Sequence, residues 1–298
     1  AVRSILGDVS ADQRMEQSGR LKRSRCELLL LHAACEAEIK VSGDDTELAW
    51  IQRFMTLQPV ETASSIDGMS TPLRKYQLIG FNWLRFLYEN GLGGLLCDDM
   101  GLGKTHQVMA LIAYLVKNKR IDEPVIVICP TTVMHHWFDK ITAHTDLKAH
   151  VFHGNRRDLI KCIENHHIII TSYGILRNDF DSIKSVEFAL AVFDEAQYLK
   201  NPETLSYVAA KGMRSRVKIG LTGTPIENNL MELHSLFNLV LPNLLGSTRK
   251  FETTYLNSMF TLESNENRSR LKRLISPFTL RRLKTAVLQK KKNWSAFK

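Results

Sequence analysis

Apolar residues recur along this chain in two rhythms, and the change between them falls near residue 72. Before it, LKRSRCELLLLHAACEAEIK (21–40) repeats at helical spacing, and DTELAWIQRFM (45–55) opens on an Asp/Thr pair ahead of a periodic apolar face. Both predict amphipathic helices within a helical region 1–57. QPVETASSIDGMSTP (58–72) is rich in Ser, Thr and Pro without a period, and 58–71 reads as a linker. Beyond it, the helix-period segment YQLIGFNWLRFLYEN (76–90) leads to a short apolar run, GLLC (94–97). Similar runs follow at VIVIC (125–129), AHVF (149–152), HIIIT (167–171), LAVF (190–193) and VKIGL (217–221), with helix-like segments between them. Short apolar strands alternating with helices predict an α/β fold, a mostly parallel sheet with helices on both faces. In such sheets ligands sit beyond the carboxyl ends of the strands, so the chemistry belongs in the loops after each run.

Bulk composition narrows the picture in three ways. The chain has 298 residues and 44% apolar content, enough for one large domain or two smaller ones with a buried core. No run approaches the roughly 18 apolar residues of a membrane span, and LLLLHAAC (28–35) lies too far in and too close behind Glu27 for a signal peptide. The five cysteines (26, 35, 97, 129, 162) form no CxxC pair, which suits reduced thiols in a reducing compartment. The net charge of +9 is uneven: residues 268–298 hold eleven Lys/Arg and no Asp/Glu, leaving 29 basic against 31 acidic residues before them. A basic end on a near-neutral body fits either a polyanion contact or a solvated basic helix.

The stretch CDDMGLGKTHQ (97–107) follows the first strand and runs into KTHQVMALIAYLVKN (104–118). That is the strand–loop–helix setting of a phosphate-binding loop, although Asp98 fills the slot where the first glycine is usual. Gly101 and Gly103 allow the tight turn, and the helix start offers N–H groups and a favourable dipole. Lys104 would reach the β- and γ-phosphates and Thr105 would hold Mg²⁺. FALAVFDEAQ (188–197) is an apolar strand ending in an acidic pair. There Asp194 can hold the metal and Glu195 can orient or deprotonate water, or the pair can simply cap the next helix.

Together these stretches resemble the superfamily-two helicase-like ATPases, specifically the SWI/SNF-type DNA translocases, over about residues 72–288. PLRKYQ (72–77) resembles the family's adenine-reading motif, which assigns that role to Gln77 with Arg74 beside it. CDDMGLGKT resembles the family's phosphate loop, in which an acidic residue takes the first-glycine slot; Asp99, Met100, Gly101, Leu102, Gly103, Lys104, Thr105 and His106 would then line ATP. ICPTTVMHHW (128–137) and IIITSYGILRNDF (168–180) resemble segments along the family's nucleic-acid path, which implies DNA contacts at Thr131, Thr171, Ser172 and Tyr173. DEAQYLKN (194–201) resembles the magnesium and water motif and adds Lys200 and Asn201 to that path. LTGTPIENNLMELHSLFNLVLP (221–242) resembles the motif linking nucleotide state to DNA grip, a role carried to Gln197, Thr222, Gly223 and Thr224; His234 departs from the usual Trp there. ISPFTLRRLKTAVL (275–288) resembles the family's closing segment of the first half.

The resemblance implies a RecA-like P-loop lobe at 72–246, ATP and Mg²⁺ as cofactors, and catalysis by Lys104, Asp194 and Glu195, with Thr105 and Asp194 on the metal. Double-stranded DNA gripped by its backbone is the expected partner, together with a separate second lobe or a protein complex and no membrane. Residues 247–298 read as a basic, truncated helical protrusion with the second lobe absent; the break at KKKNWSAFK points to truncation, and Ala1 in place of Met to an incomplete front. GLGGLLCDDMGLGKT leans towards a bacterial, nucleoid-associated cytoplasmic protein, with the nucleus as alternative. Two readings stay open: an ATP-driven translocase, or a lobe that binds ATP and DNA without turnover. A small-molecule kinase leaves DEAQ and LTGTPIENN unexplained. Elsewhere His135–His136 and His166–His167 lack further ligands at metal spacing, Cys97 and Cys129 read as core thiols, and Trp83, Phe86 and Leu87 as core.

Overall fold

The computed structural model of the chain describes residues 66–155, 157–223, 229–256 and 264–287. The helices expected at 21–40 and 45–55 lie outside them. The chain divides into a larger unit, residues 59–241 and 278–298, and a smaller one, residues 1–58 and 242–277.

Seven strands build the larger unit: β1 Gly94–Leu96, β2 Val125–Cys129, β3 Ala149–Val151, β4 Ile168–Ser172, β5 Glu187–Asp194, β6 Arg214–Leu221 and β7 Thr279–Leu280. The helices before and between them are α1 Lys75–Glu89, which precedes β1, and α2 Lys104–Lys117, α3 Met134–His144, α4 Leu159–Asn165, α5 Tyr173–Asn178, α6 Phe180–Ser185, α7 Leu205–Gly212 and α8 Leu230–Val240. The strands form one sheet in the order β3-β4-β2-β5-β6-β1-β7, and every pairing is parallel. Each residue of β1, β2 and β4 is buried, as both-face coverage requires. Val125–Ile128, Ile168–Ile170 and Leu190–Phe193 have no exposed surface, and each such aliphatic or aromatic side chain contributes about 1.5–3 kcal/mol of hydrophobic stabilisation.

All six strands expected from apolar runs are present, and two are longer than their runs. β5 and β6 extend backwards into polar residues because the ladder continues there: Glu187 lies opposite Arg214, and the two side chains pair at 3.1 Å. β7 is a two-residue strand, too short to carry a period. Residues 66–71, in the stretch read as a linker, are tied to the end of α3: Ser70 N donates to His144 O at 2.9 Å, and Met69 bridges to Thr145. Side-chain caps start several helices, with Asp158 accepting from Lys161 N at α4, Thr204 from Tyr207 N at α7, and Asn229 from Met231 N and Glu232 N at α8.

The smaller unit contributes α9 Thr248–Phe251, a π-helical turn at Glu252–Leu256 and α10 Ser264–Ile275. Asn267 Nδ2 donates to Thr254 O at 3.1 Å, the Phe251 and Tyr255 rings meet at 4.9 Å, and Phe251, Leu271 and Leu274 are buried.

Two positions in the larger unit carry measurable consequences. At Gly93 a Cβ would stand 1.9 Å from Val240 O and 2.6 Å from Lys218 O, both backbone atoms that cannot swing aside. Gly93→Ala is expected to destabilise by about 3 kcal/mol or more in denaturant unfolding; a near-neutral result would contradict this packing. Lys218 Nζ donates to Ala210 O and Lys211 O at the carboxyl end of α7, each at 2.9 Å. Burial, and secondarily the charge of Lys211, lower its pKa to about 8. Its folded pKa lies below its unfolded one, so the penalty is complete below pH 8 and fades as pH rises towards the unfolded value near 10.4. Wild-type stability should therefore gain on Lys218→Met by at most about 1.4 kcal/mol per pH unit across that window. Cys97 and Cys129, both pushed up to about 12 by burial, oppose the trend equally in the two proteins. Parallel stability–pH curves for the two proteins would exclude the buried cation.

Candidate functional site

The loop between β1 and α2 turns on two glycines in left-handed backbone, Gly101 at φ 84° and Gly103 at φ 80°. Gly103 is the N-cap of α2 and offers no side chain to the first turn, which also contains no acidic residue, so the helix start remains open to an anion. Lys104 Nζ donates to the Asp98 carbonyl at 2.7 Å, which folds the ammonium over the loop. Thr105 follows at the open end of the helix. Met100 is 65% exposed at the tip, while Leu102 is buried. The Asp99 carboxylate accepts from Lys284 N at 2.8 Å. The His106 ring lies 4.9 Å from that of His144, and burial, then Lys140 and neighbouring histidines, lower its pKa.

Gln77 joins this loop to α1. Its Oε1 accepts from Arg74 N at 2.9 Å and its Nε2 donates to Leu102 O at 3.2 Å. A side-chain amide has two donors and two acceptor positions, so one of each remains. A Cβ at position 103 would come within 2.3 Å of Gln77 Nε2, so a side chain there would displace that amide, and the positive φ favours glycine in any case.

At the end of β5, Asp194 Oδ2 accepts from Trp137 Nε1 at 2.7 Å and Oδ1 from Glu195 N at 3.0 Å. Burial raises the Asp194 pKa despite the indole hydrogen bond, which opposes it. Glu195 has φ 52°, uncommon for a residue with a side chain, and such strain clusters at functional sites. Gln197 Nε2 donates to Glu195 Oε2 at 2.7 Å, and Gln197 Oε1 accepts from Thr222 Oγ1 at 2.9 Å. Thr222 is buried at the end of β6, and its N donates to Leu96 O at 3.1 Å. Gly223 backs onto the phosphate loop, where a Cβ would lie 3.0 Å from Met100 Cγ and 3.5 Å from Lys104 Nζ. The ends of β1, β6 and β5 thus bring Lys104, Thr222, Gly223, Asp194 and Glu195 together. Thr224 lies outside the described residues.

The residues expected along a DNA path separate into two groups. Thr131 and Asn201 are exposed, and Lys200 is half exposed and pairs with Glu232 at 2.9 Å. Thr171, Ser172 and Tyr173 are committed inward. Thr171 Oγ1 donates to Phe152 O, Ser172 Oγ accepts from Ile175 N to cap α5, and Tyr173 Oη donates to Asp194 O at 2.7 Å. Burial raises the Tyr173 pKa well above that of a free phenol.

Three participants were missed from sequence. Trp137 has no exposed surface and fixes Asp194. Gln107 and Arg282 close on Asp98, which is itself fully buried. Arg282 Nε donates to Asp98 Oδ1 at 2.9 Å, its Nη2 contacts Asp98 Oδ2 and donates to Gln107 Oε1 at 2.6 Å, and its Nη1 donates to the Tyr76 carbonyl. Gln107 Nε2 donates to Asp98 Oδ2 at 3.1 Å. The signal was Asp98 itself: a carboxylate at a strand end inside a phosphate loop demands a buried cation. Among the described residues no group of three or more His, Cys, Asp or Glu is placed to hold a metal. A Mg²⁺ carried with phosphates needs only one or two protein oxygens, and Thr105 with Asp194 supplies that kind of donor.

Comparison with known proteins agrees with this geometry. The SNF2-related domain matches residues 76–294. TATA-binding protein-associated factor 172 of Homo sapiens is 34% identical over 271 residues, covering 82% of this chain and 15% of its own length. A probable ATP-dependent DNA helicase, CHR12, of Arabidopsis thaliana is 35% identical over 254 residues, covering 80% of this chain and 22% of its own. This chain therefore spans less than a quarter of either relative. The SWI2/SNF2 ATPase core of Sulfolobus solfataricus, solved in complex with dsDNA, superposes with a TM-score of 0.70 at 38% identity, covering 76% of this chain and 47% of that one. None of these relatives is bacterial, so the lean towards a bacterial protein finds no support. With the family matched over more than half its length and the parallel sheet reproduced, the chain belongs to the SNF2-related family.

Proposed function

We propose that this lobe binds ATP with Mg²⁺ and forms the first half of a motor that couples hydrolysis to movement along double-stranded DNA. The observation that carries the reading is the hydrogen-bonded chain from Glu195 through Gln197 to Thr222, beside Lys104 at the end of β1. On this reading Lys104 exchanges its Asp98 carbonyl for the β- and γ-phosphates. Thr105 Oγ and the Asp194 carboxylate, held by Trp137 and Glu195 N, are the donors for Mg²⁺, which neutralises the phosphate charge when bound. Glu195, steadied by Gln197, orients the attacking water and accepts its proton. Gln197 then carries a change at Glu195 to Thr222 and the segment that follows, where DNA grip is set. Thr131, Lys200 and Asn201 remain the candidates for DNA backbone contact.

The relatives' names, TATA-binding protein-associated factors and a chromatin-remodeling ATPase of Emericella nidulans, favour the nucleus and a multiprotein assembly as the setting. Among the described residues no helix is long and apolar enough to cross a membrane. A second reading, a lobe that binds ATP and DNA without turnover, is favoured by one feature. Arg282 is engaged with Asp98, Gln107 and the Tyr76 carbonyl, and so is withheld from the transferring phosphate.

Nucleotide binding separates the site assignment from chance geometry. Lys104→Ala removes a charge-assisted contact and should weaken ATP binding about tenfold or more with the fold retained. Gln77→Ala should narrow the preference for ATP over GTP. Calorimetric titration showing unchanged ATP affinity in the lysine variant would remove the phosphate-loop assignment.

Hydrolysis distinguishes the two readings. The chain by itself should turn over ATP slowly and with little DNA stimulation, because Arg282 at the phosphate loop is held by Asp98, Gln107 and the Tyr76 carbonyl and so does not stabilise charge on the transferring phosphate. Fusion to a matching second lobe should restore DNA-stimulated phosphate release. Glu195→Gln should abolish that release while sparing ATP binding. A fused two-lobe protein that binds ATP and DNA but releases no phosphate would favour the binding module.

A further inference from the structure

We propose that Arg282 is a positioning residue of the nucleotide site: it docks residues 279–284 onto the phosphate loop, and this docking sets the loop's binding shape. The inference rests on the ATP assignment and goes beyond it by making the site depend on chain that lies 184 residues away from Asp98.

The contact is continuous along backbone and side chain. β7 pairs with β1, with Leu95 opposite Thr279 and Leu96 opposite Leu280. The pairing then runs on into the loop: Cys97 N donates to Leu280 O at 2.7 Å, Asp99 N to Arg282 O at 3.1 Å, and Lys284 N to Asp99 Oδ2 at 2.8 Å. The stem of the phosphate loop is thus held on one side by the returning segment. Arg282 adds a fork that no other side chain type reproduces, since a guanidinium presents several donors in a fixed plane. It binds both oxygens of Asp98, the amide oxygen of Gln107 on α2 and the carbonyl of Tyr76 on α1.

Each of those partners adjoins a group assigned to the nucleotide. The Asp98 carbonyl is where Lys104 rests, so fixing Asp98 fixes the starting point of the phosphate-seeking ammonium. Tyr76 immediately precedes Gln77, whose amide bonds Leu102 in the same loop. Gln107 lies one turn into the helix that begins with Lys104. Space leaves little slack: a Cβ on Gly80 would fall 1.7 Å from Gln107 Oε1 and 2.8 Å from Arg282 Nη2. Asp98 in the first-glycine slot is therefore an anchor for the returning strand. The loop keeps its turn through Gly101 and Gly103 and uses the remaining position for this clasp. Residue 278 is also where the chain re-enters the larger unit after residues 242–277. Nucleotide occupancy and the docking of this re-entry point should therefore strengthen one another, since coupling between two sites is reciprocal.

The test uses the full 298-residue chain and a fluorescent ADP analogue with Mg²⁺. Arg282→Met should bind it roughly tenfold or more weakly, with Arg282→Lys between the two because it keeps charge but loses the fork. The preference for ADP over GDP should fall in parallel, a change that general loosening of the fold would not produce selectively. A folded Arg282→Met protein with affinity within about twofold of wild type overturns the inference. Hydrogen exchange on the wild-type chain supplies the second measurement and needs no variant. Saturating ADP should slow exchange of the amides at 280–284 along with those of the phosphate loop, and unchanged exchange at 280–284 overturns the proposal. A wild-type chain that binds no nucleotide overturns the site assignment itself, and this inference with it.

Discussion

The register of β6 between β1 and β5 is the constraint on which the site depends. Leu221 lies opposite Leu96 on one side and Asp194 on the other, so three strands end level. The phosphate loop, Thr222 and the acidic pair follow directly from those ends. A slip of one residue would turn every side chain of β6 to the opposite face and put Thr222 beyond reach of Gln197. β2 is buried throughout, β5 from Phe188 to Phe193 and β6 at Val217 and from Ile219 to Leu221, so such a slip is costly because it would move aliphatic side chains out of a dry core. Core packing and site geometry are in this sense one requirement.

A second layer of order comes from polar groups fixed by hydrogen bonds within the low-dielectric interior. Asp194 is held through both oxygens and through its carbonyl, by Trp137, Glu195 N and Tyr173 respectively. Asp98 is held through both oxygens by Arg282 and Gln107. Satisfied networks of this kind rigidify their surroundings, whereas a missing partner would leave a buried charge uncompensated. The two aspartates serve opposite ends. Asp194 keeps part of its surface exposed, and Asp98 is fully buried. The strain at Glu195, with its positive φ, is affordable only within so firmly held a frame.

The chain belongs to the SNF2-related family, and the short share of each relative that it covers leaves motor activity and the partners of the lobe as proposals. Within the lobe itself, residues at the ends of β1, β5 and β6 come together at one place, while Thr131, Lys200 and Asn201 stay at the surface. Tyr173 holds the Asp194 carbonyl, while Thr171 bonds the Phe152 carbonyl and Ser172 caps α5. Their inward commitment explains why polar residues stand at the end of the apolar strand β4: each satisfies or caps backbone that the strand end would otherwise leave unpaired.

What the sequence by itself determined was whatever local chemistry dictates. Short apolar runs between helical periods specified a parallel sheet, and GLGKT and DEAQ after such runs specified two strand ends with a lysine, a hydroxyl and two carboxylates. Those signals are local because a strand, a tight glycine turn and a helix start are each set by neighbouring residues. The tertiary structure alone decided which distant groups meet. Nothing in the spacing of VMHHW announced that Trp137 would hold Asp194, 57 positions away. β7 has two residues and no period, so neither its pairing with β1 nor the reach of Arg282 to Asp98 could be read in advance. Tyr173 could be read from sequence either towards a DNA backbone or into the packing, and only the tertiary structure places its hydroxyl on the Asp194 carbonyl. Pattern encodes which face a residue presents along its own element, but long-range hydrogen bonds depend on how elements separated by many residues are brought side by side.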